Sequence, residues 1–307
     1  IYGVEEDVWL DEGRADYVST SLLGYKTNIL QNRIKTFIVN PTDSITEWRG
    51  LDYDYASVSL FIHYLVDHYG IEVLTRSLKS SYVGIGSINY ALLSLGYKEN
   101  FSDVFTNWII TSVLNDCSIY PKFCYKTEAL KNFKLAPSLN FLPISGGVSL
   151  SVYNITKNWA GNWQKFIGGN GDFFLEFINS SGLQFKVPYI LEDKGGNYKI
   201  DFLKFDDGEK AKLNIADFAQ KYKSLIIIPS LQNKLSNFTE NEPSFPFNYK
   251  ISVGAKNEEE ALINQLLKTI ESLKKQIAEI QLKINQKSSS YSLNLCQQIS
   301  KNLYFGL

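Results

Sequence analysis

The chain has 307 residues, with 31 Lys+Arg against 32 Asp+Glu, three Cys, two His and no Met. With 44% apolar residues and 14% aromatics it can bury a sizeable core, which excludes wholesale disorder. Near-zero net charge argues against a general nucleic-acid binder, and no apolar run approaches a membrane span or has the form of a signal peptide. The missing Met and the abrupt start at Ile1 lead us to expect an internal piece of a longer protein, with any signal peptide upstream.

Residues 1–134 read as helix. Asp7 is placed to cap a helix carrying Val8, Trp9, Ala15, Val18 and Leu22, with Gly24 just past its end. Ser44-Ile-Thr-Glu47 has the capping-box pattern, and Gly50 keeps any helix there short. Tyr55, Val58, Phe61, Ile62, Leu65, Val66 and Tyr69 lie at helical spacing, and Gly70 stops them. Further helices are expected at 72–78, 87–95 and 102–114, and their short connections imply a helical bundle.

The character changes near Leu135-Ala-Pro137. Residues 135–255 are rich in Phe, Tyr, Ile and Val, and turn signals such as Gly146-Gly147, Gly168-Gly169-Asn170-Gly171 and Gly195-Gly196-Asn197 divide them. Strands are expected at 173–177, 185–189, 198–205, 225–228 and 247–253, which predicts an antiparallel β-sandwich. The whole is thus an α+β multidomain chain.

Residues 256–287 switch to a heptad. Ile263, Ile270, Ile277 and Ile284 fall at one core position, and Leu266, Leu273 and Ile280 at the other. This pattern favours a parallel two-stranded coil and a homodimer through 257–286; a lone helical spacer is the alternative. Ser288-Ser-Ser290 ends it, and 288–307 form a linker.

Cys117 and Cys124 flank a six-residue loop directly after a helix. In an extracellular protein they would form a local disulfide, and in a cytosolic one two free thiols. Cys296 is left odd, which suits a partner beyond Leu307.

The sharpest local pattern is Trp9-Leu-Asp-Glu-Gly-Arg-Ala-Asp16. Glu12 and Asp16 are four apart on one helix, so both carboxylates leave the same face. Such a like-charged pair calls for a cation or a hydrogen-bond partner between elements. The plainer reading is an exposed acidic turn balanced by Arg14.

This stretch resembles the second zinc motif of the gluzincin metallopeptidases, the thermolysin and aminopeptidase-N class, in which Asn/Asp-Glu-x-x-x-Asp/Glu often follows Trp-Leu. The resemblance makes Glu12 the third zinc ligand and Asp16 the acid that supports a zinc-bound His from behind. Trp9, Leu10 and Gly13 also match, and Asp11 stands where the family often has Asn. The family's first motif, His-Glu-x-x-His, supplies two zinc ligands and the general base. It is absent here: His63 and His68 are five apart, lack the intervening Glu, and read as surface or core-edge residues. In the family that motif lies upstream, so the chain alone is expected to bind zinc poorly and to cleave nothing.

Residues 51–65 resemble the Tyr-bearing segment that follows the zinc helices in aminopeptidase-like members. Tyr53, with Ala56 and Leu60, meets its spacing and would donate to the developing oxyanion; Tyr55 is the competitor. Phe105-Thr-Asn-Trp108 is similar to the late helix of these domains. The β part resembles the accessory sandwich of secreted bacterial peptidases, with Trp159 and Trp163 forming either a carbohydrate platform or core packing. Cys296 and Asn302-Leu-Tyr-Phe-Gly306-Leu resemble the lead-in to a peptidoglycan-binding repeat. These resemblances imply an extracellular or cell-surface bacterial zinc metallopeptidase acting on protein or peptide substrates, with cell-wall contact. The alternative is a non-catalytic envelope scaffold.

Overall fold

The computed structural model describes residues 5–23, 28–143, 149–206, 208–254, 266–267 and 269–281. The expectations for Gly24, Gly146-Gly147, Ile263, Ile284, Cys296 and 288–307 lie outside them. The protein is α+β: helices come first and predominantly antiparallel sheets follow. Residues up to Gly254 belong to one compact unit, and those from Ala255 to a second.

The helices are α1 (Val8–Tyr17), α2 (Asn28–Val39), α3 (Asp52–Tyr69), α4 (Glu72–Leu78), α5 (Gly84–Ser94) and α6 (Phe101–Leu114). α1 does not run unbroken to Leu22; it continues as a π turn over Val18–Leu22, and Asp7 makes no side-chain cap bond. The apolar spacing of α3 is realised in full: Val58, Phe61, Ile62 and Leu65 have no exposed surface. Its start is closed by Asp54, whose Oδ2 accepts the backbone N–H groups of Arg49 and Leu51, both at 2.8 Å. Gly70, at φ +77°, ends it, as the sequence requires. In α6, Asn100 and Asp103 exchange side-chain and backbone hydrogen bonds in a reciprocal cap.

Two features depart from the sequence reading. Helix α2 was not expected. The segment Ser44–Glu47, expected to start a helix, forms a turn instead. Glu47 is fully buried there; it pairs with Lys157 and Arg49 and accepts the backbone N–H of Glu242, tying the turn to the β part. Arg49 also pairs with Asp43 at 3.0 Å. Burial, followed by the neighbouring Asp54, raises the Asp43 carboxyl to about 7.

The strands of the first sheet are β1 (Ser138–Leu142), β3 (Gln164–Gly168), β6 (Pro188–Asp193), β7 (Tyr198–Phe202) and β10 (Tyr222–Ile227), in the order β1-β3-β10-β6-β7. The second holds β2 (Ser149–Thr156), β4 (Asp172–Asn179), β8 (Phe205–Asp206), β9 (Lys210–Ile215) and β12 (Phe245–Gly254), ordered β2-β12-β4-β9-β8. A two-stranded ribbon joins β5 (Phe185–Lys186) to β11 (Ser230–Leu231), and α7 (Phe218–Lys221) precedes β10. The arrangement is not wholly antiparallel: β1 and β3 pair in parallel.

Alternation along β6 and β10 explains how three layers form. Tyr189, Leu191, Leu225 and Ile227 point into a core shared with Phe173, Leu175, Phe177, Phe247, Tyr249 and Ile251 of the second sheet. Ile190 and Ile226 face the other way and join the helical core, where Trp159, Trp163 and Ile228 also lie. A sheet buried on both faces carries near-continuous apolar strands, as β6 and β10 do. The tryptophans are therefore core residues and not a surface platform: the indole N–H of Trp159 donates to the Lys234 carbonyl, and that of Trp163 to the Ile109 carbonyl at 2.8 Å.

After α6, Asn115 adopts a left-handed conformation, and its amide donates to the carbonyls of Leu130 and Phe133. In the loop that follows, Cys117 and Cys124 are joined by a disulfide with Cα atoms 5.1 Å apart. Among the described residues, no helix is long and apolar enough to cross a membrane.

Candidate functional site

The site forms where α1 packs on α3. Gly13 makes that approach close: a Cβ there would stand 2.9 Å from Val58 Cγ2 and 3.1 Å from Ile62 Cγ1. With Gly13, Trp9 and Leu10 turned into the core, Glu12 and Asp16 leave α1 along its flank. Asp16 is 6% exposed, and Glu12 is half-buried.

Tyr55, on the first turn of α3, donates from its hydroxyl to Glu12 Oε2 at 3.2 Å. Among the described residues, Oε1 of Glu12 has no hydrogen-bond partner. Asp16 is held by Arg33 of α2, whose Nε and Nη2 both donate to Oδ1, at 3.2 and 3.0 Å. The Arg33 guanidinium lies 4.5 Å from the centre of the Tyr55 ring, and Trp48 meets the same ring edge-on at 4.7 Å. Arg33 thus touches both the acid and the phenol. Partial burial and the Glu12 carboxylate raise the Tyr55 phenol above its ordinary range, against the opposing pull of Arg33.

The remaining oxygen, Asp16 Oδ2, is buried and has no hydrogen-bond partner. A buried carboxylate oxygen without a donor costs about 1–3 kcal/mol or more. Such an atom is retained where it has a task.

Arg14 does not balance this pair. It turns inward to Glu6 at 2.7 Å and donates to Ser77 Oγ at 2.9 Å, so the exposed acidic turn is not what the chain builds. Tyr53 sits apart from Glu12, its ring 4.8 Å from the Arg49 guanidinium. The structure brings Glu12, Asp16 and Tyr55 together and leaves Tyr53 out.

The two histidines face elsewhere on α3. His63, fully buried and not at the core edge, has Nε2 3.1 Å from Thr20 Oγ1, whose own proton goes to the Asp16 carbonyl at 2.7 Å. The imidazole proton therefore sits on Nε2. Burial lowers its pKa to about 4, with Asp67 and Asp16 opposing. His68 Nε2 donates to the Cys124 carbonyl at 2.8 Å, and burial lowers its pKa as well. Among the described residues, no group of three or more His, Cys, Asp and Glu is arranged to hold a metal.

Sequence reasoning missed Arg33 and Trp48. Neither carries a local signal, since each reaches the site through tertiary packing.

No protein-family model and no curated protein matches the chain. Among solved structures, the pre-peptidase C-terminal domain of collagenase from Bacillus anthracis matches with a TM-score of 0.24 and 10% identity, covering 39% of this chain and 95% of that one. Aeromonas hydrophila PliG, a periplasmic inhibitor of g-type lysozyme, matches at 0.26 and 11%, over 39% and 100%. The Yersinia pseudotuberculosis-derived mitogen matches at 0.25 and 8%, over 36% and 88%. Likeness at this level carries no argument about what the chain does.

Proposed function

We propose that residues 1–134 are the later part of a gluzincin-type zinc metallopeptidase domain, in which Glu12 is the protein's third zinc ligand. The observation that carries this reading is the pairing of two acids with different vacancies. Glu12 offers an oxygen free of hydrogen bonds, and one turn on, Asp16 buries an oxygen that lacks a donor. An imidazole N–H from a zinc-bound His is the donor that Asp16 Oδ2 fits. The residues present therefore suit the metal. The two His ligands and the general base would come from a His-Glu-x-x-His segment outside this chain, because the ring nitrogens of His63 and His68 face other partners.

Zinc, when bound there, would supply a Lewis acid and a water of lowered pKa. The chain's own residues do the rest. Arg33 fixes Asp16 through Oδ1 and leaves Oδ2 for the imidazole. The Tyr55 hydroxyl, anchored over Arg33 and against Trp48, stands beside the metal ligand, where it can donate to an oxyanion developing on the peptide carbonyl. We assign that donation to Tyr55; Tyr53 instead carries Arg49 on its ring.

The β part and the heptad helix serve as accessory modules in this proposal. The protein acts outside the cell or at its surface, a placement supported by the Cys117–Cys124 disulfide. Substrates would be proteins or peptides. In the longer protein, Tyr55→Phe should lower kcat by about 10²–10³-fold with zinc content unchanged. Unchanged turnover would remove Tyr55 from the reaction. If Glu12→Gln leaves zinc in place, the zinc assignment fails and a non-catalytic envelope scaffold becomes the better reading.

A further inference from the structure

The described part of the second unit is a helix whose apolar stripe nothing covers. Leu266, Leu267, Ile270, Leu273, Ile277 and Ile280 are each between 48% and 57% exposed. In sequence, Ile263, Ile270, Ile277 and Ile284 hold one core position of the heptad, with Leu266, Leu273 and Ile280 at the other. Ile at the first with Leu at the second favours two parallel strands.

The flanking positions agree with that partner. In a parallel pair, Thr269 lies across from Lys274 of the other copy, and Gln276 from Gln281, so no like charges oppose one another. Leu262 lies across from Leu267 and widens the apolar seam at the N-terminal end. The charged side chains Lys268, Glu271, Lys275 and Glu279 occupy outward positions. The six described apolar side chains offer on the order of 1,000 Å² across two copies, the lower bound for a specific interface, and Ile263 and Ile284 extend the same stripe.

We propose that this helix is a dimerisation element that pairs in parallel, in register, with the same helix of a second copy of the chain. A peptidase so built would present two catalytic parts from one stalk.

The test uses the full chain carrying Cys296→Ser, which leaves the Cys117–Cys124 disulfide intact. Sedimentation equilibrium should show a concentration-dependent monomer–dimer equilibrium. Leu273→Glu should raise the dimer Kd by about a hundredfold or more, a charge at the seam being left without a partner. Its near-ultraviolet circular dichroism should match that of the parent, showing the first unit intact. Leu266→Cys alone and Ile280→Cys alone should each oxidise to a covalent dimer. A monomer at every concentration overturns the proposal, as does a dimer that survives Leu273→Glu, a trimer or tetramer, or capture of the stripe by the chain's own first unit. Cross-linking only when the two cysteine variants are mixed would show an antiparallel pair and overturn the parallel register.

Discussion

Replacing Gly13 with Ala perturbs the contact that brings Glu12 to Tyr55. The added methyl would stand 2.9 Å from Val58 Cγ2 and 3.1 Å from Ile62 Cγ1, where ordinary contact is about 3.5–4.0 Å. Val58 and Ile62 have no exposed surface, so neither can swing into solvent to make room. Over-packing of this kind costs about 1–3 kcal/mol. Ala gains about 1 kcal/mol over Gly in a helix interior, which offsets part of that cost. The net expectation is a loss of about 1 kcal/mol, read as a lower urea midpoint at unchanged m value. The decisive comparison is a double-mutant cycle. In a Val58→Ala background the closest atom is gone, and Gly13→Ala should be at least about 1 kcal/mol less harmful than in the parent. If Gly13→Ala raises stability by its full helix-propensity gain in the parent, or has the same effect in both backgrounds, the close α1–α3 approach is not what Gly13 is for.

Other consequences follow from the same geometry. His63 has its pKa lowered to about 4 by burial, so between the unfolded value near 6.5 and 4 the unfolded chain binds the proton and the folded one does not. Its contribution is fully present above pH 6.5 and is lost as pH falls toward 4, by about 3 kcal/mol in all. His63→Gln should flatten the thermal-midpoint profile over that window, and an unchanged slope would show that His63 is not held neutral. The Cys117–Cys124 bridge closes a ring of eight residues, for which chain entropy predicts about 2.5 kcal/mol. Replacing both cysteines with Ser should lower stability by about that amount and make it insensitive to reductant; a reductant response that persists would place the redox-sensitive bond elsewhere.

What the sequence revealed, and what it hid, follows from the range of each interaction. Helix α3 was legible because its apolar period is clean and Gly70 marks its end. Helix α2 was not: it buries Leu30 and Phe37 while exposing Ile29, Ile38 and Val39, so its apolar residues form no single stripe. The capping-box pattern at Ser44–Glu47 misled because a Glu three residues on can serve a partner 110 positions away, here Lys157, as well as a helix end. The parallel β1–β3 pairing lies beyond any local period, being fixed by the neighbours of each strand. At the site, the four-residue spacing of Glu12 and Asp16 put both acids on one flank of α1. Arg33, which sorts the two oxygens of Asp16 into one paired and one free, arrives from α2 and left no trace in the motif.

The central claim is that Glu12 ligates zinc. The direct test is metal content by plasma mass spectrometry on the chain extended to include the residues encoded before Ile1, as parent and as Glu12→Gln. The account predicts about one zinc per chain in the parent and its loss in the variant, with the fold retained by circular dichroism. Zinc retained in full by Glu12→Gln, or absent from the extended parent, would contradict it.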